Sequence, residues 1–186
     1  MEDEKIIELY WNRDERAINE TDLKYGAYLN KIAWNILYNW DDCSESVNDT
    51  YFKTWTTIPP QRPSVFSAFL TKITRSLSID LLRKKTSKKR SDSQYTLSLN
   101  ELSECVSDQQ DTLSVFELQL LSEAINRYLS NLSKDNRLIF VGRYFFCDSI
   151  KEIAAKCGFS ETKVKVQLHR CREGLKAFLE KEGFDL

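Results

Sequence analysis

The sequence predicts an all-α protein made of two small helical domains, and three observations support this fold class. The chain of 186 residues contains only five glycines and three prolines, and long stretches place apolar residues at helical spacing. Apolar residues make up 41% of the chain and aromatic residues 12%, enough to bury a core. Charged residues fall into alternating blocks, which indicates two modules and a connector.

The first predicted domain covers residues 1–85 and begins with a mainly acidic segment. An aromatic-rich helix is expected over residues 25–40. Either Asp42 or Ser44 can then cap a helix that runs to about Trp55.

All three prolines of the chain fall between this helix and the next one. Pro59, Pro60 and Pro63 occupy one short segment, where a helix must stop. Ser64 restarts a helix that carries regularly spaced apolar residues and ends in a basic tail at residues 83–85. Since their spacing is helical, most aromatic residues of this domain are interpreted as core.

The charge blocks indicate how the domains are joined. Residues 62–90 are basic and opposed only by Asp80, residues 91–126 contain no Lys or Arg, and the chain is basic again after Arg127. Two basic blocks around an acidic stretch suggest two polyanion-binding modules, although any single block could be a solvated face. Residues 86–114, rich in Ser, Asp and Gln, are predicted to form a flexible acidic linker that is extended or disordered.

The second predicted domain, residues 115–182, shows good helix signals. Ser114 and Glu117 have the spacing of a capping box, and residues 136–146 supply a second apolar helix. Another capping box at Ser149 and Glu152 opens a short helix. Gly158 suits a left-handed turn, and Ser160 can cap a long helix to about residue 180. This order predicts a helix-turn-helix.

The last helix has one apolar and one cationic side. Val164, Leu168, Cys171, Leu175 and Phe178 recur every three or four residues as a buried stripe. The remaining positions could enter a major groove and contact bases or phosphates, with Arg172 on a flank. The predicted DNA-binding residues are Thr162, Lys163, Lys165, Val166, Gln167, His169 and Arg170. An ordinary amphipathic surface helix is the alternative.

Several other classes of protein are disfavoured. No apolar run reaches the length of about 18 residues needed to span a membrane, and the acidic N-terminus does not resemble a secretory signal. Five scattered cysteines suggest reduced thiols in the cytoplasm. His169 is the sole histidine and has no partner ligand at standard spacing, so no metal or other cofactor is expected. No nucleophile elbow, phosphate loop or carboxylate cluster indicates an enzyme.

Three segments together resemble a known family. Residues 42–55, "DCSESVNDTYFKTW", resemble a region 2 motif of bacterial RNA polymerase sigma factors of the extracytoplasmic-function type, within the sigma-70 family. Residues 66–85, "FSAFLTKITRSLSIDLLRKK", resemble the following helix of that region. Residues 132–176 resemble the region 4 helix-turn-helix. Ser46 and Ser76 depart from the pattern, at positions where Leu and Asn are usual.

The resemblance implies a transcription initiation factor without catalysis of its own. It implies a polymerase-binding helix that docks on the clamp helices of the largest subunit of core RNA polymerase through Asn48, Asp49, Thr50 and Lys53. Residues implied to bind and open the -10 element of promoter DNA are Arg62, Ser64, Phe66, Lys72, Arg75, Ser76 and Arg83. The recognition helix would read the -35 element. An anti-sigma partner is common in the family, and we expect a monomer when the chain is free.

Two other functions stay open from the sequence. A helix-turn-helix regulator could bind DNA without polymerase, although the motif over residues 42–83 argues against it. A metal-dependent nuclease is the third hypothesis, which the sequence supports least.

Overall fold

Every regular element of the described chain is an α-helix, which confirms the predicted fold class. The computed structural model describes residues 1–85, 93–103 and 115–184. The helices are α1 (Asp3–Trp11), α2 (Arg16–Leu37), α3 (Trp40–Thr57), α4 (Phe66–Lys85), α5 (Gln94–Ser103), α6 (Val115–Asn131), α7 (Lys134–Tyr144), α8 (Ile150–Cys157) and α9 (Glu161–Lys181).

The chain divides into two compact units, Met1–Ser93 and Gln94–Leu186. In the first unit α2, α3 and α4 pack on one another, and α1 packs on α2. Tyr10 of α1 is fully buried, and its hydroxyl lies 3.0 Å from the Thr21 hydroxyl of α2. Leu29 of α2, Cys43 of α3 and Leu70 of α4 are equally buried, so all four helices contribute to the core.

The corner between α2 and α3 lies earlier in the chain than the sequence predicted. Tyr38 takes a left-handed conformation (φ 54°) and ends α2, and Asn39 caps α3 by accepting a hydrogen bond of 3.0 Å from the Asp42 amide. The prediction of Asp42 or Ser44 as the cap is therefore wrong. Asn39 already has the extended backbone and the side-chain acceptor that a cap requires, so α3 begins at Trp40.

Small hydroxyl side chains line the contact between α3 and α4. The Ser46 and Ser78 hydroxyls lie 2.8 Å apart, and those of Thr50 and Thr74 lie 3.0 Å apart. All four side chains are buried. Thr50 also donates to the Ser46 carbonyl, so its polar group is satisfied inside the core. Ser46 departs from the family pattern, and its hydroxyl finds a hydrogen-bonding partner in Ser78.

The predicted flexible linker is wrong for part of its length. Residues 94–103 form the helix α5, and this helix packs on α7 within the second unit. Leu102 contacts the core of that unit, and Ser98 is buried. The spacing of apolar residues over 94–103 was too irregular to predict a helix. Contacts with side chains of α7 hold α5 in place instead. Residues 86–92 and 104–114 lie outside the described residues.

The second unit is built from α5 to α9 around one apolar core. Its fully or nearly fully buried side chains include Ile139, Ile153, Val164, Leu168 and Leu179. The stripe predicted for α9 is confirmed at four positions, while Phe178 is only partly buried. The capping box predicted at Ser114 and Glu117 lies outside the part of the chain whose side chains are described.

Candidate nucleic-acid and partner interfaces

The predicted helix-turn-helix is formed by α8, a turn at Gly158, and α9. The Ser149 hydroxyl accepts a hydrogen bond of 3.3 Å from the Glu152 amide, and the Glu152 carboxylate accepts one of 2.9 Å from the Ser149 amide. Gly158 has a φ of 68°, which glycine adopts without strain. The Ser160 hydroxyl caps α9 by accepting from the Lys163 amide at 3.2 Å. These three local signals were all predicted from the sequence.

The outer side of α9 carries the residues predicted to bind DNA. Burial of Val164, Leu168 and Cys171 fixes which side of the helix faces the core. Val166 is 43% exposed, and Gln167 is half-buried. The remaining predicted residues are exposed: Thr162, Lys163, Lys165, His169 and Arg170. The structure therefore places all seven where a ligand could reach them, and their contact with DNA stays a prediction.

Phe159 positions the first cation of this surface. The Lys163 ammonium nitrogen lies 3.4 Å from the centre of the Phe159 ring, a cation–π contact. Phe159 directly precedes the Ser160 cap, so the contact holds Lys163 beside the turn. An aromatic residue just before a helix cap and four residues before a lysine was the signal available in the sequence.

Arg172 does not lie on the outer surface, and its predicted role as a flanking phosphate ligand needs correction. Its side chain is only 13% exposed. One terminal nitrogen donates a hydrogen bond of 2.9 Å to the Tyr144 hydroxyl and lies 3.7 Å from the Glu101 carboxylate. Two partners outside α9 thus turn this guanidinium inward.

Glu101 belongs to a polar cluster that the sequence did not reveal. Arg143, whose side chain is 3% exposed, makes two hydrogen bonds to the Glu101 carboxylate, of 2.6 and 3.1 Å. It also donates to the Gln94 side chain at 2.8 Å and to the Asp148 carbonyl at 3.1 Å. Burial raises the pKa of Tyr144 to about 12, so this hydroxyl stays protonated and donates to Glu101 at 3.2 Å. The cluster fixes α5 on α7.

The outer side of α4 carries three of the seven residues predicted to bind the -10 element. Lys72, Ser76 and Arg83 are exposed and share one side of the helix, because they are four and seven residues apart. Buried Leu70, Thr74 and Ser78 lie on the opposite side, and Arg75 is half-buried on a flank. Three of these residues therefore form one surface with a cation at each end.

The loop before α4 contributes two exposed residues, and the first residue of α4 lies in the core. Ser64 is exposed, and Arg62 forms an ion pair with Glu8 and lies over the Trp11 ring at 5.6 Å. Phe66 is only 1% exposed, with its ring centre 6.0 Å from that of Tyr10. Phe66 is therefore corrected from a DNA contact to a core residue that anchors the loop.

The outer side of α3 carries the residues that resemble a polymerase-binding surface. Asn48, Asp49 and Lys53 are exposed, as predicted. Thr50 is wrong as a surface contact, since it is fully buried against α4. Phe52 was missed, although 68% of it is exposed on this side of α3. Large aromatic residues are enriched at protein-binding surfaces relative to the rest of the protein surface.

A groove beside Phe52 extends this surface toward α2. It has a volume of about 600 Å³, and Ile18 and Asn19 of α2 form its second wall. The α3 side is formed by Asn48, Tyr51, Phe52 and Trp55. The Tyr51 hydroxyl donates to the Asp22 carboxylate at 2.7 Å, which fixes one ring of the wall. The groove is lined by both apolar and polar side chains of the two helices.

Neither a metal site nor a membrane-spanning helix is present in the described part of the chain. Among them, no group of three His, Cys, Asp or Glu side chains is placed to bind a metal ion. None of the described helices combines the length and hydropathy needed to cross a membrane. The four cysteines in the described part of the chain are free thiols.

Two family models match the chain, one in each unit. Residues 23–88 match the model described as Sigma-70 region 2, and residues 122–175 match the model described as Sigma-70, region 4. Together they span well over half of the chain. A solved structure of CnrH in complex with the cytosolic domain of CnrY is similar, with 21% identity, a TM-score of 0.45, and coverage of 96% of this chain and 97% of that one. No curated protein matches this chain significantly.

Proposed function

The chain belongs to the sigma-70 family and is a sigma factor for transcription initiation with regions 2 and 4 of the extracytoplasmic-function type, and from that premise we propose how each unit acts. The first unit binds core RNA polymerase and the -10 element, and the second unit binds the -35 element. What supports this division is that each unit matches one sigma region and carries its own exposed cationic helix.

The second unit reads DNA through the N-terminal half of α9. Lys163, Lys165 and Arg170 supply positive charge for phosphates. Gln167 can bond a base edge, and Val166 can contact a thymine methyl group. The turn at Gly158 and the cap at Ser160 support this assignment, since they fix where α9 begins relative to α8.

The first unit holds the -10 element along α4 and the loop before it. Lys72 and Arg83 contact the backbone, and Ser76 lies between them on the same side. Arg62 and Ser64 extend this surface into the loop, which Phe66 anchors from inside. The side-chain hydroxyl of Ser76 replaces the usual amide of the family, so the base preference at this position differs from that of typical members.

Core polymerase docks on the outer side of α3. Asp49 and Lys53 provide charges of both signs, and Phe52 provides an apolar anchor that enters the partner's surface. The helical walls of the neighbouring groove suit the clamp helices of the largest subunit. The proposed order is binding to core polymerase, followed by promoter recognition and opening.

The charge pattern explains why a slightly acidic protein carries cationic helices. The net charge is -1, so long-range attraction of the free chain to nonspecific DNA is weak. The cationic sides of α4 and α9 contact promoter DNA once core polymerase has positioned them. The factor acts in the cytoplasm as a monomer before it joins polymerase, and an anti-sigma partner stays a prediction of the family resemblance.

Run-off transcription with purified core polymerase and fragmented genomic DNA tests the function. We expect defined transcripts that require this chain and whose upstream sequences share two conserved elements. Binding to core polymerase without selection of start sites would overturn the proposal. Binding to DNA in the absence of any interaction with polymerase would instead identify an independent helix-turn-helix regulator.

A further inference from the structure

One flank of α9 carries a line of four nitrogen-bearing basic side chains. Lys165, His169, Arg172 and Lys176 follow one another at intervals of four, three and four residues, so they share one side of the helix. Lys165 and His169 are exposed, and Lys176 is half-exposed. Arg172 alone of the four is drawn inward, with 13% of its side chain exposed. Solvent and ligands therefore barely reach the Arg172 guanidinium on this flank.

The groups that hold Arg172 come from α5 and α7. Its guanidinium donates to the Tyr144 hydroxyl and lies 3.7 Å from the Glu101 carboxylate. Glu101 is the one charged residue of α5. A carboxylate next to a guanidinium makes the same charge-assisted contacts that a DNA phosphate makes.

The docking of α5 depends on this carboxylate. The helix has only ten residues, a length that is marginal for a helix in water without tertiary contacts. Leu97 and Leu99 are 44% and 49% exposed, so apolar burial holds the helix only weakly. Its polar contacts with α7 include those of Glu101 and Gln94 with Arg143. Loss of the Glu101 charge should therefore loosen the whole helix.

We propose that Glu101 acts as an internal phosphate mimic, which withdraws Arg172 from the DNA-binding surface while α5 is docked. Displacement of α5 returns Arg172 to the flank that holds Lys165, where it binds a phosphate. The inference rests on the proposed role of α9 in DNA binding. Docked α5 and bound DNA then compete for Arg172, and by linkage each weakens the other by the same factor.

Salt-dependent DNA binding by the full chain tests this competition. The probe is a mixed-sequence 30-base-pair duplex, and fluorescence anisotropy measures its affinity between about 50 and 200 mM salt, where phosphate contacts dominate. The variants are Glu101→Gln, Arg172→Gln and the double variant. Glu123→Gln is the matched control, because it also removes one negative charge from the second unit, and the Glu123 carboxylate accepts a hydrogen bond of 3.3 Å from Gln119 of its own helix.

We expect Glu101→Gln to bind the duplex about five- to tenfold more tightly than wild type at 0.1 M salt. The slope of log K against log salt should become steeper by about 0.9, which is the contribution of one extra phosphate contact. Glu123→Gln should leave the slope unchanged. Arg172→Gln should change little by itself and should cancel the gain in the double variant. An unchanged slope in Glu101→Gln, or a full loss of one contact in Arg172→Gln alone, would overturn the proposal.

Hydrogen exchange without DNA examines the docking itself. Amides of residues 94–103 should exchange at least tenfold faster in Glu101→Gln than in wild type or Glu123→Gln, while amides of α9 should keep their protection. Equal exchange in all three proteins would refute the role of Glu101, whether or not DNA binds. If exchange changes as expected but no variant binds the duplex, the role of Glu101 in docking stands, and the DNA-binding role of α9 fails.

Discussion

Replacement of Leu168 by alanine should destabilise the second unit and leave the first unit intact. Leu168 lies in α9 and is 1% exposed, within a core built only from residues of the second unit. Truncation of a leucine at such a site costs about 2–5 kcal/mol, from lost apolar burial and the cavity left behind. A unit of this size has a total stability of roughly 5–14 kcal/mol, so the loss is a large fraction.

The positions of the tryptophans make this prediction easy to measure. All four lie in the first unit: Trp11, Trp34, Trp40 and Trp55. Tryptophan fluorescence in urea therefore follows the first unit, and circular dichroism follows the helices of both. With a slope of about 1.5 kcal/mol per molar urea, a loss of 3 kcal/mol moves the transition of the second unit by about 2 M.

Two control variants define the outcome that would refute the reasoning. Leu70→Ala, at a fully buried position of α4, should shift the fluorescence transition and not that of the second unit. Leu138→Ala, at a position that is 54% exposed in α7, should cost less than about 0.5 kcal/mol. If Leu168→Ala shifted the fluorescence and circular dichroism transitions equally, the division into two independently folded units would be wrong.

Three further outcomes test the places of individual residues. Arg170→Ala should weaken promoter binding about five- to tenfold at 0.1 M salt and make the slope of log K against log salt shallower by about 0.9. Lys181→Ala, at the end of α9, should change neither the affinity nor the slope. Identical binding curves for Arg170→Ala and wild type would exclude this phosphate contact. Phe52→Ala should weaken binding to immobilised core polymerase at least tenfold without changing the unfolding midpoint, and unaltered affinity would move the interface elsewhere. Burial raises the pKa of the Cys43 thiol to about 11. At pH 8, iodoacetamide should therefore alkylate Cys43 at least tenfold more slowly than half-buried Cys157, as measured by peptide mass spectrometry. Comparable rates for the two thiols would contradict the burial of Cys43.

Local signals in the sequence located the helix-turn-helix well. The capping box at Ser149, the glycine at position 158 and the cap at Ser160 each depend on residues only a few positions apart. Such contacts form within one turn of a helix, so the residue types at fixed spacing are sufficient to predict them. The buried and exposed sides of α9 followed in the same way from its periodicity.

The errors arose where a residue's neighbour is distant in the chain. Thr50 and Phe66 belong to motifs whose residues were predicted to contact polymerase or DNA. In the fold, Thr74 packs against Thr50 and Tyr10 packs against Phe66. No periodicity within α3 or α4 identifies which polar or aromatic residue another helix covers. Phe52 was missed for the complementary reason, since an aromatic residue in an amphipathic helix is usually core.

The caps of α8 and α9 and the cationic side of α9 were determined by the sequence itself, because backbone geometry and short-range hydrogen bonds set them. Only the tertiary structure decided that α5 exists as a docked helix and that Arg172 points inward. Both depend on Glu101 meeting Arg143 and Arg172, which are far along the chain from it. An ion pair of this kind forms only after the core has brought the helices together, so no local pattern encodes it.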